Sequence, residues 1–138
     1  MPDSPLTVDV TRSPEESAGQ RRSRLRLAGM LLVSSIAHFI IPRAFMKIVP
    51  RFLGHARFWV YASGVVEAAA GALMLSADPT TRRRGGMLAT ATIVGVCPAN
   101  IQMAVGAGRP RSLTSWGAWL RLPLQVPMVV TAARIARR

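Results

Sequence analysis

The chain is short of what most soluble enzymes and nucleic-acid binders carry. It has one cysteine, Cys97, so an intrachain disulfide, a Cys-x-x-Cys redox pair or a cysteine-based zinc site is excluded. It has two histidines, His38 and His55. Only His38 falls in an apolar stretch, whereas haem ligation between helices wants two facing histidines inside the bundle. It has six acidic residues. Beyond those in the N-terminal region there are only Glu67 and Asp78, and Asp78 is expected far from His38, so a Ser-His-Asp arrangement finds no support. Charged residues make up 17% of the chain, against roughly 25% in an average soluble domain. No stretch alternates apolar and polar residues with period two, which argues against a transmembrane β-barrel.

What charge there is has one sign. Lys+Arg number 18 and the formal net charge is +12. A nucleic-acid binder gathers such charge on a polar face or tail. Here it sits in short blocks between apolar runs, the pattern of a multi-pass membrane protein, and no nucleic-acid partner is expected. Residues 1–24 hold Pro2, Pro5 and Pro14, the pair Glu15–Glu16, and then Arg21, Arg22 and Arg24. This composition cannot bury a core and predicts a disordered tail. Four apolar stretches follow, at about 25–41, 58–77, 85–105 and 116–133. Each is close to the roughly 20 residues that cross a bilayer as a helix. The expectation is an all-α protein, a four-transmembrane-helix bundle over residues 25–135 with a short basic tail at 136–138. A cleaved signal ending at Ser35-Ile36-Ala37 is the rival for the first stretch, but its n-region would be unusually long.

Orientation follows from the basic residues. The tail, the second loop and the C-terminus hold eleven of them, and the first and third loops six. The richer side should be cytoplasmic, which places both termini inside a cell membrane. The first loop, 42–57, interleaves Phe45, Met46, Ile48, Val49, Phe52 and Leu53 with Arg43, Lys47 and Arg51. An amphipathic segment lying on the outer surface fits it. Phe58, Trp59 and Tyr61, with Trp116 and Trp119, would form an aromatic belt at that interface.

Polar side chains inside a membrane are costly and need a partner or a task. The apolar stretches contain His38, Glu67, Asn100, Gln102, Arg121 and Gln125. Counted from the outer helix ends at about 1.5 Å per residue, His38 lies about 5 Å deep, Asn100 and Arg121 about 8 Å, and Glu67 and Gln125 about 14 Å. They therefore form one layer in the outer half or near the midplane. Glu67 shares a face with Gly64 and Gly71, so it should point into the bundle where helices approach closely. Pro98, Pro123 and Pro127 free backbone carbonyls nearby, and Asn100, Arg121 and Gln125 are placed to answer them. Three readings stay open. Glu67 pairs with Arg121 in a structural network. Alternatively, the layer lines a pocket open to the outer leaflet that takes a lipophilic or redox-active ligand. Or Glu67 carries protons in a small transporter, which would want a homo-oligomer to enclose a path. Cys97 reads as a small buried hydrophobe.

Four short motifs, one per expected helix, carry a resemblance. They are His38-Phe39 followed by Pro42 and Pro50, Ser63-Gly64 with Glu67, Pro98-Ala99-Asn100, and Arg121-Leu122-Pro123-Leu124-Gln125. In this order they resemble the DoxX-like group of small four-helix bacterial membrane proteins, over about residues 25–135. The resemblance implies the four-helix membrane fold and little chemistry of its own. Some members of the group are associated with quinone-linked sulfur oxidation or membrane redox complexes. With no dithiol to carry electrons, this chain is expected to act as a non-catalytic or accessory subunit. It would bind a quinone-like lipophile, or dock a membrane-associated oxidoreductase, through His38, Glu67, Asn100, Arg121 and Gln125.

Overall fold

A computed structural model describes residues 16–138 of the chain. The elements are α1 (Ala18–Ile40), α2 (Pro42–Met46), a 3-10 turn (Arg51–Leu53), α3 (Ala56–Leu75), α4 (Pro79–Gly95), α5 (Cys97–Gly106) and α6 (Leu113–Ala136). The described residues are all-helical and contain no strand. Three helical segments are long and apolar enough to cross a membrane: Ala18–Ile40, Ala56–Leu75 and Pro79–Gly106. The helix α6 is long enough, but Arg121, Gln125, Pro123 and Pro127 lower its apolarity.

Local chemistry sets the helix ends, and it moves two boundaries away from the sequence reading. Helix α1 starts at Ala18, so the part of the expected disordered tail from Ala18 to Arg24 is helical; residues 1–15 lie outside the described residues. A capping box explains the early start: the Ser17 hydroxyl accepts from the Gln20 N–H, and the Gln20 side chain accepts from the Ser17 N–H. Together these satisfy two of the orphan donors of the first turn. Helix α4 starts at Pro79 and not near Gly85, so Arg82, Arg83 and Arg84 lie in its first turns and not in a loop. Asp78 is its N-cap, accepting from the Thr81 N–H at 2.6 Å. Pro79 at the first helical position has the φ a helix needs and no N–H to leave unpaired. The expected third span is broken at Val96, between α4 and α5, immediately before Cys97 and Pro98.

The long segments pack in chain order, α1 on α3, α3 on α4 and α4 on α6, with α6 returning to α1; α5 packs on α6. The core runs through Leu27, Ala28, Leu31, Ala70, Met74, Ala89, Ile93 and Ala132. Met74 is the one large side chain that is fully buried among the described residues. At two glycines the helices approach closely. A Cβ on Gly71 would come within 2.8 Å of Leu32, and one on Gly86 within 2.7 Å of the Ala136 nitrogen. Small-residue contact of this kind holds helices together where a bilayer removes the hydrophobic drive between them.

One end is basic. The Arg24 guanidinium donates to the Met74 carbonyl at the end of α3 and makes two bonds of 2.8 and 2.9 Å to Glu16. Arg82 reaches the same carboxylate at 3.0 Å, and Arg83 donates to the Ala136 carbonyl at the end of α6. The starts of α1 and α4 thus lie beside the ends of α3 and α6.

Candidate functional site

Toward the other end, the broken segment α4–α5 and the chain between α1 and α3 leave a half-open cavity of about 350 Å³. All five residues expected to form the site, His38, Glu67, Asn100, Arg121 and Gln125, line it. Gln102 does not line it and is exposed. Most of the wall is apolar: Met30 and Leu31 of α1, Trp59 and Val60 of α3, Ile93 and Val96 of the third segment, Leu124 and Met128 of α6.

The connection after α1 covers this space. Phe45, Ile48, Val49, Pro50 and Leu53 all line the cavity, and the Phe45 ring stacks on His38 at 4.0 Å between centroids. Arg43, Lys47 and Arg51 are exposed, and Phe52 is 84% exposed. The expected amphipathic character is present, but part of the apolar face lies against the cavity. The segment returns to helix through Gly54 and His55, whose φ values of 56° and 30° are left-handed. Trp59 ties it down, its indole donating to the Leu53 carbonyl at 3.1 Å.

The polar groups stand on two walls. On the α1–α3 wall, Glu67 is 5% exposed and His38 7%. A Cβ on Gly64 would come within 3.0 Å of the His38 Cβ, and that close approach sets the two helices side by side here. The Ser63 hydroxyl donates to Glu67 Oε1 at 3.1 Å. His38 Nδ1 lies 2.7 Å from the Ser34 carbonyl, which can only accept, so Nδ1 carries the proton and donates. Its distance to Glu67 Oε2 is 3.8 Å, too long for a hydrogen bond. Glu67 Oε2 is buried and has no hydrogen-bond partner among the described residues.

On the facing wall, Gln125 of α6 donates to the Ile93 carbonyl at 3.2 Å, in the last turn of α4 before the break. A side-chain amide does reach backbone near Pro98, but at the Ile93 carbonyl and not at that of Val94, the one that Pro98 deprives of its helical donor. Asn100 is half-buried and Arg121 exposed, and neither side chain has a hydrogen-bond partner among the described residues; the Asn100 N–H donates to the Val96 carbonyl at 3.1 Å. The expected pairing of Glu67 with Arg121 is not made among the described residues; the basic side chain beside Glu67 is the His38 imidazole, at 3.8 Å. Cys97 is half-buried at the start of α5 and does not line the cavity. A second hollow, of about 400 Å³, lies at the turn between α5 and α6 and involves none of the five.

Sequence reasoning missed Arg24. It stands in a polar stretch, and nothing local reveals that the end of α3 needs a donor.

These features define a small all-helical protein, compatible with a multi-pass membrane protein, whose cavity is apolar with two polar walls. The chain belongs to the family described as a domain of unknown function, DUF8561, whose profile matches residues 27–136. No curated protein and no solved structure matches it significantly.

Proposed function

We propose that this is a four-helix integral membrane protein of the DoxX-like type, and that its cavity binds a lipophilic molecule with a polar, quinone-like head. It is a binding or accessory subunit and not an enzyme by itself. The carrying observation is that the polar residues of four separate stretches, His38, Glu67, Asn100, Arg121 and Gln125, line one largely apolar cavity. Its volume of about 350 Å³ is at the small end of ligand pockets, enough for a ring and the first carbons of a tail. Asn100 and Arg121 supply donors to carbonyl oxygens, and the open side lets an alkyl chain pass out between helices.

Support for α6 as the fourth span comes from its surface. Trp116, Trp119, Leu120, Val126 and Val130 are exposed on it and do not line the cavity, while Gln125 and the partly outward Arg121 do line it. An apolar outside with polar groups turned to a cavity is what a lipid-facing helix needs.

The test is native mass spectrometry of the protein purified in mild detergent, with identification of any retained small molecule. A specific lipophile, lost in Arg121→Ala and in Asn100→Ala, is the expected result. Retention of bulk phospholipid alone would sink the reading and leave a structural scaffold.

A further inference from the structure

We infer that Glu67 receives a hydroxyl group of the ligand, so that the cavity selects a hydroxyl-bearing lipophile, such as a phenol or hydroquinone, over one whose polar oxygens only accept hydrogen bonds. This rests on the lipophile-binding reading above and goes beyond it by naming the chemical form.

The argument begins from Oε2. A carboxylate oxygen removed from water without a donor is costly, and such groups in folded proteins nearly always have a partner. Within the chain the candidates are already committed. The Ser63 hydroxyl donates to the other oxygen, Oε1. The proton on His38 Nδ1 goes to the Ser34 carbonyl at 2.7 Å, with Oε2 standing off at 3.8 Å. Gly64, one turn away on the same face, adds no donor, and its contact with His38 leaves no room for one to be supplied by substitution. Arg121 lines the same cavity, but its guanidinium does not come within ion-pair distance of Glu67. Glu67 thus lines the cavity and carries a buried acceptor that no group in the described residues answers; Oε2 has almost no exposed area in the empty cavity, so a turn of the Glu67 side chain is what brings it to the ligand hydroxyl.

The opposite wall has the reverse chemistry, since Asn100 and Arg121 offer donors. A ligand bridging the walls therefore presents a donor at one end and an acceptor at the other. A hydroxyl on a lipophilic body answers Oε2, whereas a ketone, ether or fully oxidised quinone oxygen cannot donate to it. Phe45 and Trp59 on the wall suit a flat ring, but a glyceride hydroxyl offers the same donor. The shared chemistry is a neutral hydroxyl on an apolar body.

The experiment compares ligand pairs on the unmodified protein by isothermal titration calorimetry in mild detergent under anaerobic conditions. Decylhydroquinone is set against its dimethyl ether, and monoolein against its dimethyl ether. Answering a buried acceptor that is otherwise unpaired predicts that the hydroxyl form binds about tenfold tighter or more. In Glu67→Gln that ratio shrinks to about threefold or less, because one of the two acceptor oxygens is replaced by an NH2 group that cannot accept. A gap in the aromatic pair identifies a phenolic ligand, and a gap in the glyceride pair alone identifies an aliphatic one. Equal binding of hydroxyl and ether forms would overturn the inference, leaving the cavity reading intact and Oε2 to a trapped water. Failure of all four compounds to bind would overturn both. The comparison on the unmodified protein does not depend on how the variant folds.

Discussion

At the end of the molecule opposite the cavity, Arg24 satisfies three acceptors at once: the Met74 carbonyl and both oxygens of Glu16. Its side chain is 7% exposed, so its loss strands partners that water reaches poorly. Arg24→Ala is expected to cost about 1.5–3 kcal/mol, the range for hydrogen bonds to a charged group. Arg24→Lys recovers part of this, since an ammonium cannot hold both oxygens of Glu16 in a fork. Thermal unfolding in detergent measures both. The same contact makes stability pH-dependent. Arg24's hydrogen bonds, opposed by burial and helped by the charges of Arg24, Arg82 and Arg21, hold the Glu16 carboxyl below its ordinary value of 4.5. Thr81's hydroxyl and N–H do the same to Asp78. A group with a depressed folded pKa stabilises fully above its unfolded value and loses that contribution as pH falls through the folded one. The melting temperature should therefore be flat near neutral pH and fall in acid below the ordinary carboxylate range. Glu16→Gln should make that fall shallower; an unchanged acid slope would remove Glu16 from the account.

Between elements, the glycines divide sharply by what faces them. A Cβ on Gly86 would meet the Ala136 nitrogen at 2.7 Å and the Ala132 carbonyl at 2.9 Å, both backbone atoms that cannot turn aside. Gly86→Ala must push α4 and α6 apart, at an expected cost of about 1–3 kcal/mol. Gly117 has nothing within 4 Å, so Gly117→Ala should be neutral or stabilise by up to about 1 kcal/mol through helix propensity. Equal melting temperatures for the two variants would contradict this packing. Such contrasts also mark what the sequence could convey. The small face of Gly64, Glu67 and Gly71 was legible because helical spacing fixes which residues share a side, and all three are buried. That the polar residues of separate helices come to one level of the bundle was legible for the same reason, since rise per residue gives height along a helix, and the five line one cavity. Height says nothing about how a helix is rotated against its neighbours, so the choice of His38 over Arg121 beside Glu67 was not readable. The break at Val96 was signalled by Pro98. Gln125 could be read as a group placed to answer backbone there, but which carbonyl it takes, that of Ile93, 32 positions away along the chain, could not.

Over the whole molecule, 24 large apolar side chains are exposed while 11 hydrophobic residues form the buried core among the described residues. The exposed ones occur on α1, α3, α4, α5 and α6 alike. So wide an apolar surface calls for a nonpolar surround. The basic residues of the α1 and α4 starts and of the α6 end meet at one pole, joined through Glu16, Arg24, Arg82 and Arg83. In the proposed topology that pole is cytoplasmic, because eleven basic residues belong to its side and six to the other. Labelling with a membrane-impermeant maleimide tests this directly, because Cys97 is the single cysteine and Cys97→Ser gives a clean background. Phe52, 84% exposed on the covering segment, becomes Phe52→Cys; Thr80 and Arg137 become Thr80→Cys and Arg137→Cys. In intact cells only the site at position 52 should react, with the other two reacting after lysis. Labelling at 80 and 137 but not 52 would invert the orientation. Labelling at 52 and 137 together would mean that α6 does not cross, leaving three spans. Arg121 and Gln125 would then lie on a helix at the membrane surface, and the wall they give the cavity could not be a lipid-sealed one.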